Sequence, residues 1–203
     1  MSRLSLLSAF ATPVVNLRLT DFEEMNASLR EAVETRRGSA ATDRSNVGGW
    51  HSELDFFSWE VPAVRSLRAQ VLSVIDELNQ ATFETGRAPS QDEMRLDAWA
   101  NVLTTGAYNS LHAHPNALWS GVYYLTDNEV AEGYPFSGRL ELIDPRPAAS
   151  VGFADDMRLN GRFMINPREG QIIVFPSWLQ HCVHPYFGVE ARVSVAFNVV
   201  LLR

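Results

Sequence analysis

From residue 94 to residue 125 the chain reads MRLDAWANVLTTGAYNSLHAHPNALWSGVYYL, and this stretch decides the fold class. It contains two runs, 96–103 and 118–125, that are rich in β-branched, aromatic and aliphatic residues and therefore predict short β-strands. Gly, Asn and Pro lie between the runs, as is typical of turns. The pattern continues to the C-terminus and predicts further strands at 139–143, 162–165, 171–175 and 192–202.

The N-terminal part begins with a predicted strand and a predicted helix. Aliphatic and β-branched residues at 9–19 predict the strand. Thr20 and Glu23 form a capping-box pattern, apolar residues then recur at helical spacing, and Gly38 stands where a helix stop is expected. We therefore predict the first helix between Thr20 and Gly38.

A second helix is predicted from an apolar stripe at three- and four-residue spacing, which comprises Val64, Leu67, Val71, Val74 and Leu78. Pro62 lies near its start and Gly86 near its end, in the positions that these residues favour. The polar segment 36–55 between the two helices is long for a plain connection and is typical of a functional loop.

Helices followed by many short strands favour a mainly β fold with packed N-terminal helices. The expected architecture is an antiparallel double-stranded β-helix, the cupin-like jelly roll, rather than a parallel α/β sheet. We expect one domain over residues 1–203, with a strand and helices at 1–93 and the jelly-roll core at 94–203.

Composition excludes several classes of partner. The 203 residues are 46% hydrophobic, which is enough for one sizeable core, and the net charge of −7 argues against binding to nucleic acid or to an anionic membrane. No run approaches the roughly 20 apolar residues of a membrane helix. The single cysteine, Cys182, excludes an internal disulfide, and the N-terminal apolar stretch is too short for a signal peptide. We therefore expect a cytoplasmic protein.

Four of the five histidines form two short clusters, His112 with His114 and His181 with His184. Residues two apart in a strand share a face, so the first pair is predicted to point to one side of a strand end. His181 follows the predicted strand 171–175 and a turn, which places a third imidazole on a neighbouring strand. Three imidazoles on one face of a metal leave other positions open, as open-site iron oxygenases require. The alternative is that such histidines cap strands by hydrogen bonding.

Several motifs carry a resemblance to a known superfamily. They are His112-Ala113-His114, Ser120-Gly121-Val122-Tyr123-Tyr124-Leu125, Ser137-Gly138-Arg139-Leu140, Phe175-Pro176-Ser177, His181-Cys182-Val183-His184-Pro185 and Arg192-Val193-Ser194-Val195-Ala196-Phe197. The chain resembles the 2-oxoglutarate and iron-dependent oxygenases, near their prolyl-hydroxylase-like branch, and more closely a bacterial group among them. The similarity covers about residues 96–203. It implies a dioxygenase that holds Fe(II) through His112, His114 and His181 and uses 2-oxoglutarate as co-substrate.

Arg192 supports this resemblance on physical grounds. It stands eleven residues after His181 and shares a strand face with Ser194. A guanidinium binds a carboxylate with two hydrogen bonds and a serine hydroxyl donates a third, so the pair is predicted to hold the distal carboxylate of 2-oxoglutarate. The matching motif implies that Tyr124 adds its hydroxyl while Tyr123 points the other way. The alternative for Arg192 is an ordinary ion pair at a strand edge.

One ligand departs from the superfamily pattern, which has His-x-Asp or His-x-Glu where this chain has His114 after His112. Three neutral imidazoles leave the double charge of the metal uncompensated, and this charge favours a dianionic co-substrate. His184, next to Pro185, is predicted to lie in the outer shell of the site and not in the ligand set.

Two other functions fit parts of the pattern. Gly106 before His112-x-His114, and Gly170 and Pro176 before His181, match the skeletons of the two cupin motifs, which would make a three-histidine metalloenzyme that needs no 2-oxoglutarate. Leu118 or Trp119, however, replaces the cupin glutamate. A non-catalytic metal-binding jelly roll is the second alternative, since fold alone does not prove catalysis. For an oxygenase, we expect a small molecule or a peptide or protein side chain as substrate.

Overall fold

The computed structural model describes residues 10–37, 45–83, 86–146 and 161–202. Two helices, α1 (Glu23–Arg36) and α2 (Pro62–Thr82), lie before the main run of strands. Short 3₁₀ helices occupy Phe56–Ser58 and Gln91–Glu93. The strands are β1 (Val15–Arg18), β2 (Asn46–Val47), β3 (Trp50–His51), β4 (Met94–Leu103), β5 (Tyr108–His112), β6 (Trp119–Tyr124), β7 (Leu140–Ile143), β8 (Arg162–Ile165), β9 (Gln171–Pro176), β10 (Gln180–Val183) and β11 (Arg192–Leu201).

The strands form two antiparallel sheets that pack face to face. One sheet has six strands in the order β1-β9-β6-β11-β4-β3, and the other has five in the order β2-β5-β10-β7-β8. Apolar side chains of both sheets meet in a shared core, among them Tyr124 and Phe175 from the first and Leu140 and Leu142 from the second. The architecture is the double-stranded β-helix, as predicted from the sequence.

Both helices cover the outer face of the six-stranded sheet. Leu29 of α1 and Leu67 of α2 belong to the same buried cluster as Ala98 and Val102 of β4. Because successive residues of a strand point to opposite faces, Trp99, which lies between these two positions, points to the space between the sheets. The large core therefore supports one side of β4, and the other side faces a cavity.

The second predicted helix is confirmed, with Pro62 as its first residue. The prediction that Thr20 caps the first helix is wrong: α1 starts at Glu23 with Phe22 as its N-cap, and no side chain caps it. Asp21 has a φ of 53°, and this left-handed turn separates Thr20 from the helix. Gly38 lies outside the described residues, and the strand predicted from residue 9 is confirmed only as β1.

Six predicted strands are confirmed as β4, β6, β7, β8, β9 and β11. β2 and β3, which lie in the segment predicted as a loop, were not predicted, and β5 and β10 were expected only as the strands that carry the histidines, without bounds. They are short or largely polar, and their strand geometry comes from pairing with neighbours distant in sequence. Within the described residues, no helix is long and apolar enough to cross a membrane.

Candidate active site

Three imidazoles converge at one end of the five-stranded sheet. His112 closes β5 and lies directly opposite His181 of β10 in the antiparallel register. Their ring centroids are 4.2 Å apart, and that of His114 is 4.9 Å from His112 and 5.3 Å from His181. One ring nitrogen from each histidine can be chosen so that all three lie within 4.8 Å of one another, which is close enough to share a metal ion.

Local backbone structure brings His114 to this point. His112 lies at a strand end, as expected, but His114 lies beyond it, because β5 ends at His112. His114 lies in the following turn, where its backbone N–H donates to the carbonyl of Ser177 at 2.9 Å. Pro115 follows and favours an extended backbone at His114. A register shift between β5 and β10 next to His112, of the kind that re-aims side chains, completes the arrangement.

Backbone carbonyls orient two of the rings. His112 Nδ1 lies 2.6 Å from the carbonyl oxygen of Ser110, and His181 Nδ1 lies 2.9 Å from that of Leu179. A carbonyl oxygen only accepts, so each Nδ1 carries the proton and each Nε2 keeps its lone pair. This hydrogen bond to the second nitrogen is the usual feature of a histidine that binds a metal.

The three imidazoles are held in the neutral form. Burial, together with the neighbouring His112, lowers the pKa of His114 to about 4 and that of His181 to about 3. Burial also lowers the pKa of His112. Neutral imidazoles have free lone pairs, so the trio is a ready set of nitrogen donors at neutral pH.

Arg192 lies in the same cavity with only 2% of its surface exposed. In the described part of the chain no acidic side chain forms a salt bridge with it, and its Nε has no hydrogen-bond partner. Its guanidinium carbon is 5.1 Å from the centre of the Tyr124 ring. A buried cation without a counterion is costly, so this site is built for an anion.

Polar side chains lie beside Arg192 on the adjoining strands. Ser194 of β11 pairs in register with Asn101 of β4 on one side and with Tyr124 of β6 on the other. The Tyr124 hydroxyl and the Asn101 Oδ1 are buried without a hydrogen-bond partner. Burial raises the pKa of Tyr124 to about 12, so its hydroxyl stays protonated and can donate. Buried polar groups are normally paired, so these atoms also indicate a missing polar ligand.

One cavity joins the histidine trio to Arg192. It encloses about 520 Å³ of space free of protein atoms, including its open mouth, and none of its described lining residues is acidic. Gly121 forms part of its wall, where a Cβ would lie 2.3 Å from the Phe197 ring. The absence of a side chain at this position therefore keeps the two strands and the cavity wall in place.

The family model described as "Putative 2OG-Fe(II) oxygenase" matches residues 97–198, which include every residue of the cavity described above except Ser45. The match spans just over half of the chain. The chain belongs to this family. It is thus a 2-oxoglutarate-dependent, non-haem iron oxygenase, and its cofactor and co-substrate are Fe(II) and 2-oxoglutarate. The family match favours this function over both the cupin-type metalloenzyme and the non-catalytic module.

Solved structures share the fold of this oxygenase at low sequence identity. A Pseudomonas putida prolyl-4-hydroxylase is 18% identical with a TM-score of 0.61, over 94% of this chain and 92% of the other. A Trichoplax adhaerens prolyl hydroxylase, solved with a hypoxia inducible factor peptide fragment, is 15% identical with a TM-score of 0.62, over 92% and 83%. HygX from Streptomyces hygroscopicus, solved with nickel, 2-oxoglutarate and hygromycin B, is 13% identical with a TM-score of 0.61, over 94% and 83%. A search of curated proteins finds no significant match.

The structure also shows where Tyr123, His184 and His51 lie in the oxygenase. Tyr123 points away from the cavity, as predicted, and donates its hydroxyl to Asn26 of α1 at 2.7 Å. His184 lies outside the trio and its Nε2 is 2.7 Å from Glu141 Oε2. Sequence reasoning gave no role to His51, which is buried and stacks on Trp99 at 5.5 Å. Its one signal in the sequence is a weaker likeness to the same superfamily at Gly49-Trp50-His51-Ser52.

A second, more open cleft adjoins the histidine trio on the side away from Arg192. It encloses about 830 Å³, open space included, and shares His112, His114 and Trp99 with the first cavity. Its own lining includes His51, Asp97 and Asn198. The trio therefore stands between an enclosed cavity that holds Arg192 and an open cleft that a larger molecule can enter.

Proposed function

We propose that His112, His114 and His181 hold the Fe(II) of this oxygenase through their Nε2 atoms. The three neutral, convergent imidazoles support the proposal, because they match the donor type and the spacing that a divalent metal needs. Carbonyl oxygens at Ser110 and Leu179 fix the tautomers of two rings. No carboxylate belongs to the described donor set around these histidines, so the ligands themselves leave the metal charge uncompensated.

The distal carboxylate of 2-oxoglutarate binds in the enclosed cavity. Arg192 supplies two parallel hydrogen bonds and the charge, and the Ser194 and Tyr124 hydroxyls donate further hydrogen bonds. The single observation that carries this assignment is the buried Arg192 without an acidic partner in the described residues, in one cavity with the trio. The keto acid end then points to the metal.

The substrate enters from the open cleft, where Trp99 and Asp97 lie beside the trio. Bound iron supplies dioxygen activation coupled to oxidative decarboxylation of 2-oxoglutarate, which yields succinate and carbon dioxide and leaves one oxygen atom for a substrate C–H bond. The protein positions the substrate next to the metal and keeps water out of the enclosed cavity. The substrate is a small molecule or a peptide or protein side chain, and the product is its hydroxylated form.

We also propose a single domain and a cytoplasmic location for the enzyme. We assign residues 1–203 to one oxygenase domain, because the helices share a core with the six-stranded sheet. The net charge of −7 argues against a nucleic-acid substrate, and the single cysteine fits a cytoplasmic enzyme.

Anaerobic titration of the Fe(II)-loaded protein with 2-oxoglutarate tests the proposed function. Chelation of iron by the keto acid gives a weak visible charge-transfer band, which we expect in the wild type and not in His181→Ala. The matched control is His51→Ala, which removes a buried histidine from outside the trio. Iron binding without a band in the wild type would overturn the 2-oxoglutarate assignment, and a wild-type band in His181→Ala would overturn the ligand set.

A further inference from the structure

A second group of metal-binding side chains lies on the opposite face of the five-stranded sheet. Glu141 of β7 pairs directly with Cys182 of β10, and His184 follows two residues later on the same face. His181 and Val183, which alternate with them, point into the enclosed cavity. The group therefore lies behind the histidine trio and does not share its cavity.

The three side chains already converge. His184 Nε2 lies 2.7 Å and Cys182 Sγ 3.8 Å from Glu141 Oε2, and the three candidate ligand atoms lie within 4.8 Å of one another. Ligand atoms around a tetrahedral Zn²⁺ are about 3.3 to 3.6 Å apart, given zinc bonds of about 2.0 to 2.3 Å. Small side-chain rotations are thus enough to place an ion between them.

We propose that Glu141, Cys182 and His184 form a second metal site, which binds a borderline-soft divalent cation such as Zn²⁺. A thiolate, an imidazole and a carboxylate are the ligand types that zinc takes, whereas a thiolate does not suit the hard cations Mg²⁺ and Ca²⁺. The two anionic ligands balance the charge of the ion. The His184 side chain is 26% exposed, so a water molecule can take the fourth position.

Arg162 fits this site as an orienting residue. Its Nε lies 2.9 Å from Glu141 Oε1, so the guanidinium holds one carboxylate oxygen and leaves Oε2 turned to His184 and Cys182. The contact is an ion pair without hydrogen-bond geometry, since Glu141 Oε1 has no hydrogen-bond partner in the described residues. The ion links β7 to β10, the strand that carries His181, and so stabilises the sheet behind the iron site.

The competing explanation is a buried polar cluster without a metal. In that case Arg162 and His184 simply pair with Glu141, and Cys182 is a packed thiol. The two explanations differ in one observable, because only metal binding converts Cys182 to a thiolate bonded to an ion.

Titration of the full-length, reduced protein with Co²⁺ separates them, because thiolate-bound Co²⁺ has an intense near-ultraviolet charge-transfer band. The chain has one cysteine, so this band reports Cys182 alone. We expect the band to saturate at one equivalent per chain in the wild type and in His181→Ala, in which the iron site is disabled. It disappears in Cys182→Ser, and the apparent Kd rises by about 100-fold in His184→Ala.

Glu141→Gln is the matched variant, since it keeps the shape of the side chain and removes its charge. We expect this variant to show the thiolate band with a weaker affinity for Co²⁺. Its circular dichroism and Tm show whether it folds. A folded wild type without a thiolate band, or a band unchanged in both His184→Ala and Glu141→Gln, overturns the second site. Since His181→Ala is tested in parallel, this result is independent of the proposed iron site.

Discussion

Replacing Arg192 with Met changes the stability of the protein and its co-substrate binding in opposite directions. Arg192 is 2% exposed and has no acidic partner in the described residues, so the folded protein without a ligand holds an uncompensated charge. Methionine keeps much of the aliphatic chain and removes the charge. We expect the free energy of unfolding without ligand to rise by about 1 to 2 kcal/mol, the lower part of the range for such replacements. For a chain of this length, the rise in Tm is roughly 2 to 8 °C.

The same substitution weakens 2-oxoglutarate binding, because it removes the bidentate partner of the distal carboxylate. Removing one member of a buried charged pair costs about 2 to 5 kcal/mol, which is at least about 30-fold in Kd. At a co-substrate concentration 100 times the wild-type Kd, the wild type gains about 2.7 kcal/mol of stability. The variant gains less than about 1 kcal/mol under the same conditions.

The assay is thermal unfolding with Mn²⁺ in place of iron, with and without 2-oxoglutarate, together with calorimetric measurement of the Kd. Arg168→Met is the control, because Arg168 is exposed and does not line the cavity, and it should change neither quantity. If Arg192→Met is less stable than the wild type without ligand and binds 2-oxoglutarate equally well, the guanidinium has a structural role and the assignment of the cavity is wrong.

Further substitutions test other parts of the site. Tyr124→Phe should weaken 2-oxoglutarate binding by about 3- to 10-fold in calorimetry. The free energy of unfolding of this variant should also fall less than that of the wild type between pH 10 and about 12. Burial raises the pKa of Tyr124 to about 12 in the folded protein, so the unfolded chain releases this proton first. Gly121→Ala should cost about 1 to 3 kcal/mol in thermal unfolding, since its Cβ would lie 2.3 Å from the Phe197 ring and 2.9 Å from the carbonyl oxygen of Ile173. An added Phe197→Leu should recover only part of this loss, because it relieves the ring contact and not the carbonyl contact; a Gly121→Ala protein as stable as the wild type would refute the clash. In Fe(II) titrations, His112→Ala should no longer bind iron, whereas His184→Ala should still bind it. The reverse result would make His184 an iron ligand in place of His112.

The sequence predicts the elements whose side chains repeat with a clear period. Helix α2 has an apolar stripe and a proline at its first position, β4 is long and mostly apolar, and β11 is long and rich in valine. Strands β5 and β10 show no apolar pattern because they are short and carry polar residues, which include the site itself, so the sequence indicated them only through the histidines. Functional residues replace the apolar pattern that would reveal the strands.

The sequence predicts which residues form the candidate site, but not how they are arranged. Spacing in the sequence brought His112, His114 and His181 together, yet the turn that carries His114 follows from Pro115 and a hydrogen bond to Ser177. Glu141 has no signal of its own, since its contacts with Cys182 and His184 arise from the pairing of strands some forty residues apart. Register between strands distant in sequence is a tertiary property, and single-residue patterns do not contain it.

The positive charge of the enclosed cavity explains why its residues suit a dianionic co-substrate. With the proposed ligands, three neutral imidazoles would leave a bound Fe(II) with both charges and Arg192 would add a third, while none of the described lining residues is acidic. Asp97, in the adjoining cleft, is already paired with Arg95 at 2.7 Å. A dianionic keto acid therefore neutralises most of this charge and still leaves a net positive charge, whereas a site with one carboxylate ligand would reach neutrality. With His114 as the proposed ligand in place of a carboxylate, the site would attract the co-substrate more strongly, and the protein without ligand would bear the electrostatic cost.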